Sequence, residues 1–228
     1  MSRARSAALT VATFVVVALL FVAPLARDSL AQTPTDRSEI VLVLDLSGSI
    51  LVDVANRDRF AAALDRLADR VDLKSSDLVA GDTTVSVVEF ASRAADVTGC
   101  VNLKLLNSPP TAARFAECLR SVAKAYRKGI DSALTKLVGI DTNYVAAMEK
   151  AARHLPADAS RPALILFTDG KHDVAGVPAS QVQPARNRLF GTRPTFALLP
   201  VGMGLQSTER AALEKGLVNL RIIRNMPA

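Results

Sequence analysis

Aromatic side chains are scarce in this 228-residue chain: Phe, Tyr and Trp make up 4% of it, and Trp is absent. Ala, Val and Leu must therefore fill the core that the 50% hydrophobic content supports. Cysteine is sparser still, limited to Cys100 and Cys118. That excludes a small scaffold held mainly by disulfides. The two histidines, His154 and His172, do not stand at ligand spacing from the cysteines, which excludes a zinc site built from the four. Blocks of like charge are missing too. The formal net charge is +6, but Asp53, Arg57, Asp58, Arg59, Asp65, Arg66, Asp69 and Arg70 alternate in sign along the chain. Such a pattern reads as solvated helix faces and offers no basic stripe to a phosphate backbone. No Gly-x-Ser-x-Gly elbow occurs, and the histidines fall at a helix end and in a polar loop, so a Ser-His-Asp hydrolase is set aside.

The length suits one domain with a substantial core. Ahead of it, Arg3 and Arg5 precede an uncharged stretch from Ser6 to Ala26, and Ser29-Leu30-Ala31 fits a small-x-small cleavage site before Gln32. Residues 1–31 are read as a signal peptide, with an uncleaved signal anchor as the alternative because the stretch is nearly long enough to span a bilayer. Either route predicts export: a secreted, periplasmic or envelope-associated product, with any membrane attachment confined to that anchor. Export further disfavours a nucleic-acid partner. An even cysteine count in an exported chain predicts a Cys100–Cys118 disulfide, the alternative being two buried thiols.

Residues 32–38 read as a linker and 39–228 as the domain. Strands are expected over Glu39–Leu46, Thr83–Phe90, Val101–Leu106, Pro162–Phe167, Pro194–Val201 and Leu220–Ile223. Helices are expected over Asp53–Val71, Ala112–Tyr126 with Thr111 as its cap after a break at Pro109-Pro110, Tyr144–His154, Gln183–Phe190 and Thr208–Gly216 behind Ser207. Residues 129–139 read as a helical turn or loop, and Asp72–Asp82 as a polar loop. Strands alternating with helices predict an α/β domain, a mostly parallel sheet covered on both faces.

Ile40-Val41-Leu42-Val43-Leu44 reads as a strand buried on both sides, and it ends in Asp45-Leu46-Ser47-Gly48-Ser49. Open α/β sheets bind ligands at the carboxyl ends of their strands. Thr142, at a helix start, and Asp169, in Thr168-Asp169-Gly170 after another strand, could join Asp45, Ser47 and Ser49 there. Two carboxylates and three hydroxyls suit a hard divalent cation. Each residue also has an ordinary reading: Asp45 and Asp169 as turn residues, Thr142 as a helix cap. Asp141 and Asp173 read as solvated acids, His172 as a surface residue near the site, and Glu89 as facing solvent at a sheet end.

In these motifs the chain resembles the von Willebrand factor type A domain. Asp45-x-Ser47-x-Ser49, Thr142 and Asp169 match, in order and type, the metal ion-dependent adhesion site of that family, and the likeness runs from about Glu39 to Ile223. The resemblance implies a Rossmann-like three-layer fold, with one short antiparallel edge strand. It implies Mg²⁺ or Mn²⁺ at Ser47, Ser49 and Thr142, with Asp45 and Asp169 coordinating directly or through water. It implies adhesion without catalysis, the partner protein supplying an Asp or Glu to complete the coordination shell. Two features depart from the family. Gly139-Ile140-Asp141 stands where relatives often have a Gly pair before the Thr. The segment from Val97 to Asp141 is longer than a minimal domain needs, and it is read as decoration in preference to a partner-contacting insertion. Two other functions compete: a structural domain with a vestigial metal site, and a phosphotransferase of the haloacid dehalogenase type. The latter needs a second acid where Ser47 stands.

Overall fold

A computed structural model describes residues 37–73, 82–105, 109–157, 159, 161–169, 172–191, 197–203, 211 and 224–226. The proposed leader and linker residues 1–36 lie outside them, as do most of the expected helix at 208–216 and strand at 220–223. Among the described residues, no helix is long and apolar enough to cross a membrane.

The sheet is built around the strand that leads into the Asp-x-Ser-x-Ser motif. Strand β1 (Arg37–Asp45) pairs in parallel with β2 (Asp82–Phe90) on one side. On the other it pairs in parallel with β5 (Arg161–Thr168). Beyond β5 follow β6 (Ala197–Met203) and β7 (Arg224–Met226), also parallel. Two short segments, β3 (Ala94–Asp96) and β4 (Leu103–Lys104), run antiparallel to β2 at the opposite edge. The strand order among described residues is β3-β2-β1-β5-β6-β7. This is the expected Rossmann-like architecture, its antiparallel edge made of two pieces. The sequence reading missed β3, whose three residues are too few to show a period.

Period-2 alternation along β1 divides the core into two layers. Leu42, Leu44 and Leu46 pack beneath α2 (Val54–Leu73) and α3 (Pro109–Lys128), against Phe60, Leu64, Leu119 and Tyr126. Val41 and Val43 face the other way, toward α5 (Tyr144–Ala152) and α6 (Val182–Phe190), against Tyr144, Met148 and Phe190. Between these lie α1 (Gly48–Val52), a 3₁₀ turn at Gly129–Asp131 and α4 (Ala133–Val138). Asp53 starts α2 by accepting the amides of Ala55 and Asn56, at 2.7 and 3.1 Å.

Four expectations need correction. The strand expected over Val101–Leu106 is limited to Leu103–Lys104, and Pro109 and Pro110, expected to stand as a break ahead of the helix, belong to the helix. They open α3, where the missing N–H groups would have no intrahelical acceptor anyway. Thr111 accordingly lies inside that helix and does not cap it. Glu89 does not face solvent: it is fully buried on β2. Neither carboxyl oxygen has a hydrogen-bond partner. Burial, with a smaller push from the Asp96 charge, raises its pKa to about 8. Asp96 itself is held low: burial would raise it, but Lys150 and His154 bond to it at 2.7 and 2.6 Å and outweigh that effect.

Cys100 and Cys118 form a disulfide. It fastens the loop between β3 and β4 to the middle of α3. Replacing both cysteines with Ala is expected to lower unfolding stability by about 3 kcal/mol, from the loop entropy the bond removes. Urea denaturation with an unchanged midpoint would contradict this.

Glu89 gives a pH prediction. Its folded pKa lies above the unfolded value, so the folded state binds the extra proton. Stability is then lost as pH rises from about 4.5 to about 8. The charge that acts on it is Asp96 on β3, and its own charge acts in turn on the Tyr126 phenol of α3. Glu89→Gln is expected to flatten that loss and to be the more stable protein at pH 8, by several kcal/mol (on the order of 4). Parallel stability profiles for the two proteins across this range would refute the assignment.

Candidate functional site

Asp45 is the last residue of β1 and is completely buried. A buried carboxylate needs its lone pairs filled. One oxygen, Oδ1, accepts the amide of Ser47 at 2.8 Å, and Oδ2 accepts the Thr168 hydroxyl at 2.5 Å. Thr168, at the end of the neighbouring β5, lies 2.9 Å from the Tyr144 hydroxyl. From the opposite layer, the Tyr126 hydroxyl donates to the Asp45 carbonyl. Burial pushes the Asp45 pKa up to about 6, against the lowering effect of the Thr168 and Ser47 bonds. Burial, and then the negative charges of Asp45, Asp169 and Glu89, hold the Tyr126 phenol well above its usual range, so it stays a donor.

The next oxygens lie in a row. Ser47 Oγ is 3.0 Å from Ser49 Oγ, and Ser49 donates to Asp169 Oδ1 at 3.0 Å. Ser47 is buried, Ser49 exposed and Asp169 half-buried, so the row leaves the core at Ser47 and opens to solvent at Ser49. The structure thus brings together Asp45, Ser47, Ser49 and Asp169 at the carboxyl ends of β1 and β5.

Thr142 reaches the same end of the sheet through its loop. Its backbone pairs with Asp173 in both directions, at 2.9 and 2.8 Å. Ile140, two residues earlier, accepts the Gly48 amide at 2.7 Å, and the Asn143 amide bonds to Ala91 just past β2. The cap of α5 is Asn143, whose side chain accepts from Ala146. The buried Thr142 hydroxyl therefore has no capping duty. His172 is held by backbone on both sides: Nδ1 accepts the Tyr144 amide and Nε2 bonds to Val177 O at 2.7 Å. Asp141 and Asp173 are exposed, as expected.

Gly139 fixes the entry to this loop. Its φ is +89°, and an added Cβ would stand 2.5 Å from Ser92 Oγ. That hydroxyl accepts the amides of Ile140 and Asp141 and donates to the Asp141 carboxylate.

The donor set suits a hard cation. Adjacent oxygens around Mg²⁺, at 2.0–2.1 Å from the ion, lie about 2.9 Å apart. The 3.0 Å steps from Ser47 to Ser49 and from Ser49 to Asp169 are close to that spacing. Both Asp45 oxygens are already in use by Ser47 and Thr168, which suits a carboxylate that balances the ion's charge and orients its hydroxyls. Among the described residues, no group of three or more His, Cys, Asp or Glu side chains could hold a metal ion. A cation here would depend on hydroxyl ligands.

Residues 40–172 match the sequence profile of the von Willebrand factor type A domain. The chain belongs to that family. Among solved structures, proximal thread matrix protein 1 from the mussel byssus, with a zinc-occupied MIDAS motif, aligns at TM-score 0.53 and 13% identity, covering 84% of this chain and 44% of that one. A von Willebrand factor type A protein from Catenulispora acidiphila aligns at TM-score 0.50 and 21% identity, covering 79% and 36%. The chain thus spans less than half the length of either, and at these identities the likeness concerns the fold. No curated protein matches the sequence significantly.

Sequence reasoning found the five candidate ligands but missed the residues that hold Asp45. Thr168 was visible in Thr168-Asp169-Gly170, yet nothing local assigned its hydroxyl to Asp45. Tyr126 gave no signal, because its partner lies 81 residues away.

Gly139→Ala is expected to cost about 1–3 kcal/mol, from the left-handed φ and the displaced Ser92. A thermal midpoint equal to that of the unaltered protein would contradict this account of the loop.

Proposed function

We propose that this von Willebrand factor type A domain is a metal-dependent protein-binding module that acts outside the cytoplasm and carries out no catalysis. Ser47, Ser49 and Thr142 hold Mg²⁺ or Mn²⁺, with Asp45 and Asp169 ligating it directly or through water. An Asp or Glu of a partner protein takes the remaining position. The observation that carries this reading is the row of oxygens Ser47–Ser49–Asp169 at 3.0 Å steps above the buried Asp45 carboxylate.

Neutral hydroxyl ligands leave the ion short of negative charge, so an incoming carboxylate binds well. All-oxygen donors favour Mg²⁺ or Mn²⁺ over softer metals. The zinc in the mussel protein's motif supports a divalent ion at the equivalent position. Binding without chemistry accords with two features. Ser47 stands where a haloacid dehalogenase-type enzyme needs its second acid. The ring nitrogens of His172 are both bonded to backbone and are not poised for proton transfer. The exposed Ser49 hydroxyl and the half-buried Asp169 carboxylate, aligned with Ser47 above Asp45, favour a working site over the vestigial alternative, since the internal bonds of Asp45 need neither of them. Export rests on the leader-like residues 1–31.

Asp45→Ala is expected to abolish calorimetric Mg²⁺ binding while the far-ultraviolet circular dichroism of the fold persists. Unchanged Mg²⁺ affinity in that variant would overturn the reading. Thr168→Val, which removes one support of Asp45, is expected to weaken Mg²⁺ binding by roughly 10–100-fold. Wild-type affinity there would deny Thr168 its positioning role.

A further inference from the structure

The first N–H groups of a helix have no acceptor within it. At the start of α5 the Asn143 side chain takes the amide of Ala146, so the amide of Tyr144 must be met from elsewhere. His172 meets it from the loop after β5: the imidazole Nδ1 accepts that amide at 3.1 Å. A backbone N–H can only donate, so Nδ1 carries a lone pair. At the other end of the ring, Nε2 stands 2.7 Å from Val177 O. A carbonyl oxygen can only accept, so Nε2 carries the hydrogen. The two backbone partners fix one neutral tautomer, and the half-buried ring is a strut between two segments of chain.

Both segments carry candidate metal ligands. Thr142 stands two residues before Tyr144, and Asp169 three before His172. Asp173, next to His172, pairs with Thr142 through both backbone groups, at 2.9 and 2.8 Å. The bond from the Tyr144 amide to His172 continues that seam between the two loops. It also leads to Asp45. Tyr144 is buried, and its ring centre lies 5.9 Å from that of His172. Its hydroxyl is 2.9 Å from the Thr168 hydroxyl, the group that donates to Asp45 Oδ2. Tyr144 is thus held by His172 at its amide and meets the support of Asp45 at its hydroxyl.

We infer that His172 is a positioning residue for the metal site: by accepting the Tyr144 amide it sets the Thr142 loop against the Asp169 loop and keeps Tyr144 beside Thr168. This inference rests on the function proposed above and adds a residue outside the five candidate ligands. Groups that stand behind metal ligands orient them, and their loss is felt at the metal even though they never touch it. The competing role for His172 is packing against Tyr144. Packing needs only a ring of that size. Positioning needs the lone pair on Nδ1, because without it the Tyr144 amide loses its partner and the seam beside Thr142 loosens.

Two substitutions separate these roles. His172→Phe keeps an aromatic ring against Tyr144 but has no lone pair to offer. His172→Asn gives up the ring but keeps an acceptor, Oδ1, bonded to Cγ as Nδ1 is. Calorimetric Mg²⁺ affinity is expected to fall roughly 10–100-fold in His172→Phe, and His172→Asn is expected to recover most of that loss. Phe binding Mg²⁺ as tightly as the unaltered protein, or Asn binding it no more tightly than Phe, would overturn the positioning role and leave the metal reading intact. The unaltered, metal-free protein gives a check that needs no variant. Nitrogen-15 spectra of the His172 ring should place the proton on Nε2 and the lone pair on Nδ1. A proton on Nδ1 would overturn the inference whatever the variants do. Absence of Mg²⁺ binding in the unaltered protein, or binding undiminished in Asp45→Ala, would overturn the metal reading and this role with it, even with the proton found on Nε2.

Discussion

A carboxylate at the end of a strand buried on both faces is a severe demand on a fold, and Asp45 imposes it here. Its side chain has no contact with bulk water, so its charge must be met from within. Ser47 and Thr168 meet it with an amide and a hydroxyl, and Tyr126 fixes the backbone beneath it. These partners come from the motif turn, from β5 and from α3. One buried acid thus ties the central strand to its neighbour and to the helical layer, and the site above it inherits their rigidity.

The loops that carry the other candidate ligands are fastened to the same centre by backbone bonds. Gly48 is tied to Ile140, Asn143 to Ala91 and Thr142 to Asp173. Such bonds hold the loops through the backbone, so the Ser47, Ser49 and Thr142 hydroxyls are placed without having to serve as anchors themselves. Glu89 shows the opposite case. It is as fully buried as Asp45 but has no donor for either oxygen, and it takes up a proton where Asp45 takes up partners.

The parts of this molecule that were legible in the sequence are the ones whose cause is local. Five consecutive apolar residues before Asp45 announced a doubly buried strand, and strand–helix alternation announced the parallel sheet. The five candidate ligands were readable because each sits at a strand end or helix start with its own short signature. Thr111 has the sequence signature of a cap, but a helix tolerates Pro109 and Pro110 in its first turn and so starts ahead of it. Glu89 was misplaced because alternation in β2 fixes which face a residue takes but not what covers that face. There the cover is the α3 layer with Tyr126, far along the chain, and the same distance hid the Tyr126 bond to Asp45. Counting favoured the Cys100–Cys118 pairing over two buried thiols, whereas its anchorage to α3 required the fold.

The central claim is that one divalent cation sits where the ends of β1 and β5 meet the Thr142 loop. Paramagnetic broadening by Mn²⁺, followed residue by residue on the isotope-labelled protein, addresses it most directly. Substoichiometric Mn²⁺ should erase the amide signals of Ser47, Ser49, Thr142 and Asp169 first, and excess Mg²⁺ should restore them. Broadening centred on the surface acids Asp65, Asp69 and Asp72, or none below millimolar metal, would contradict the account.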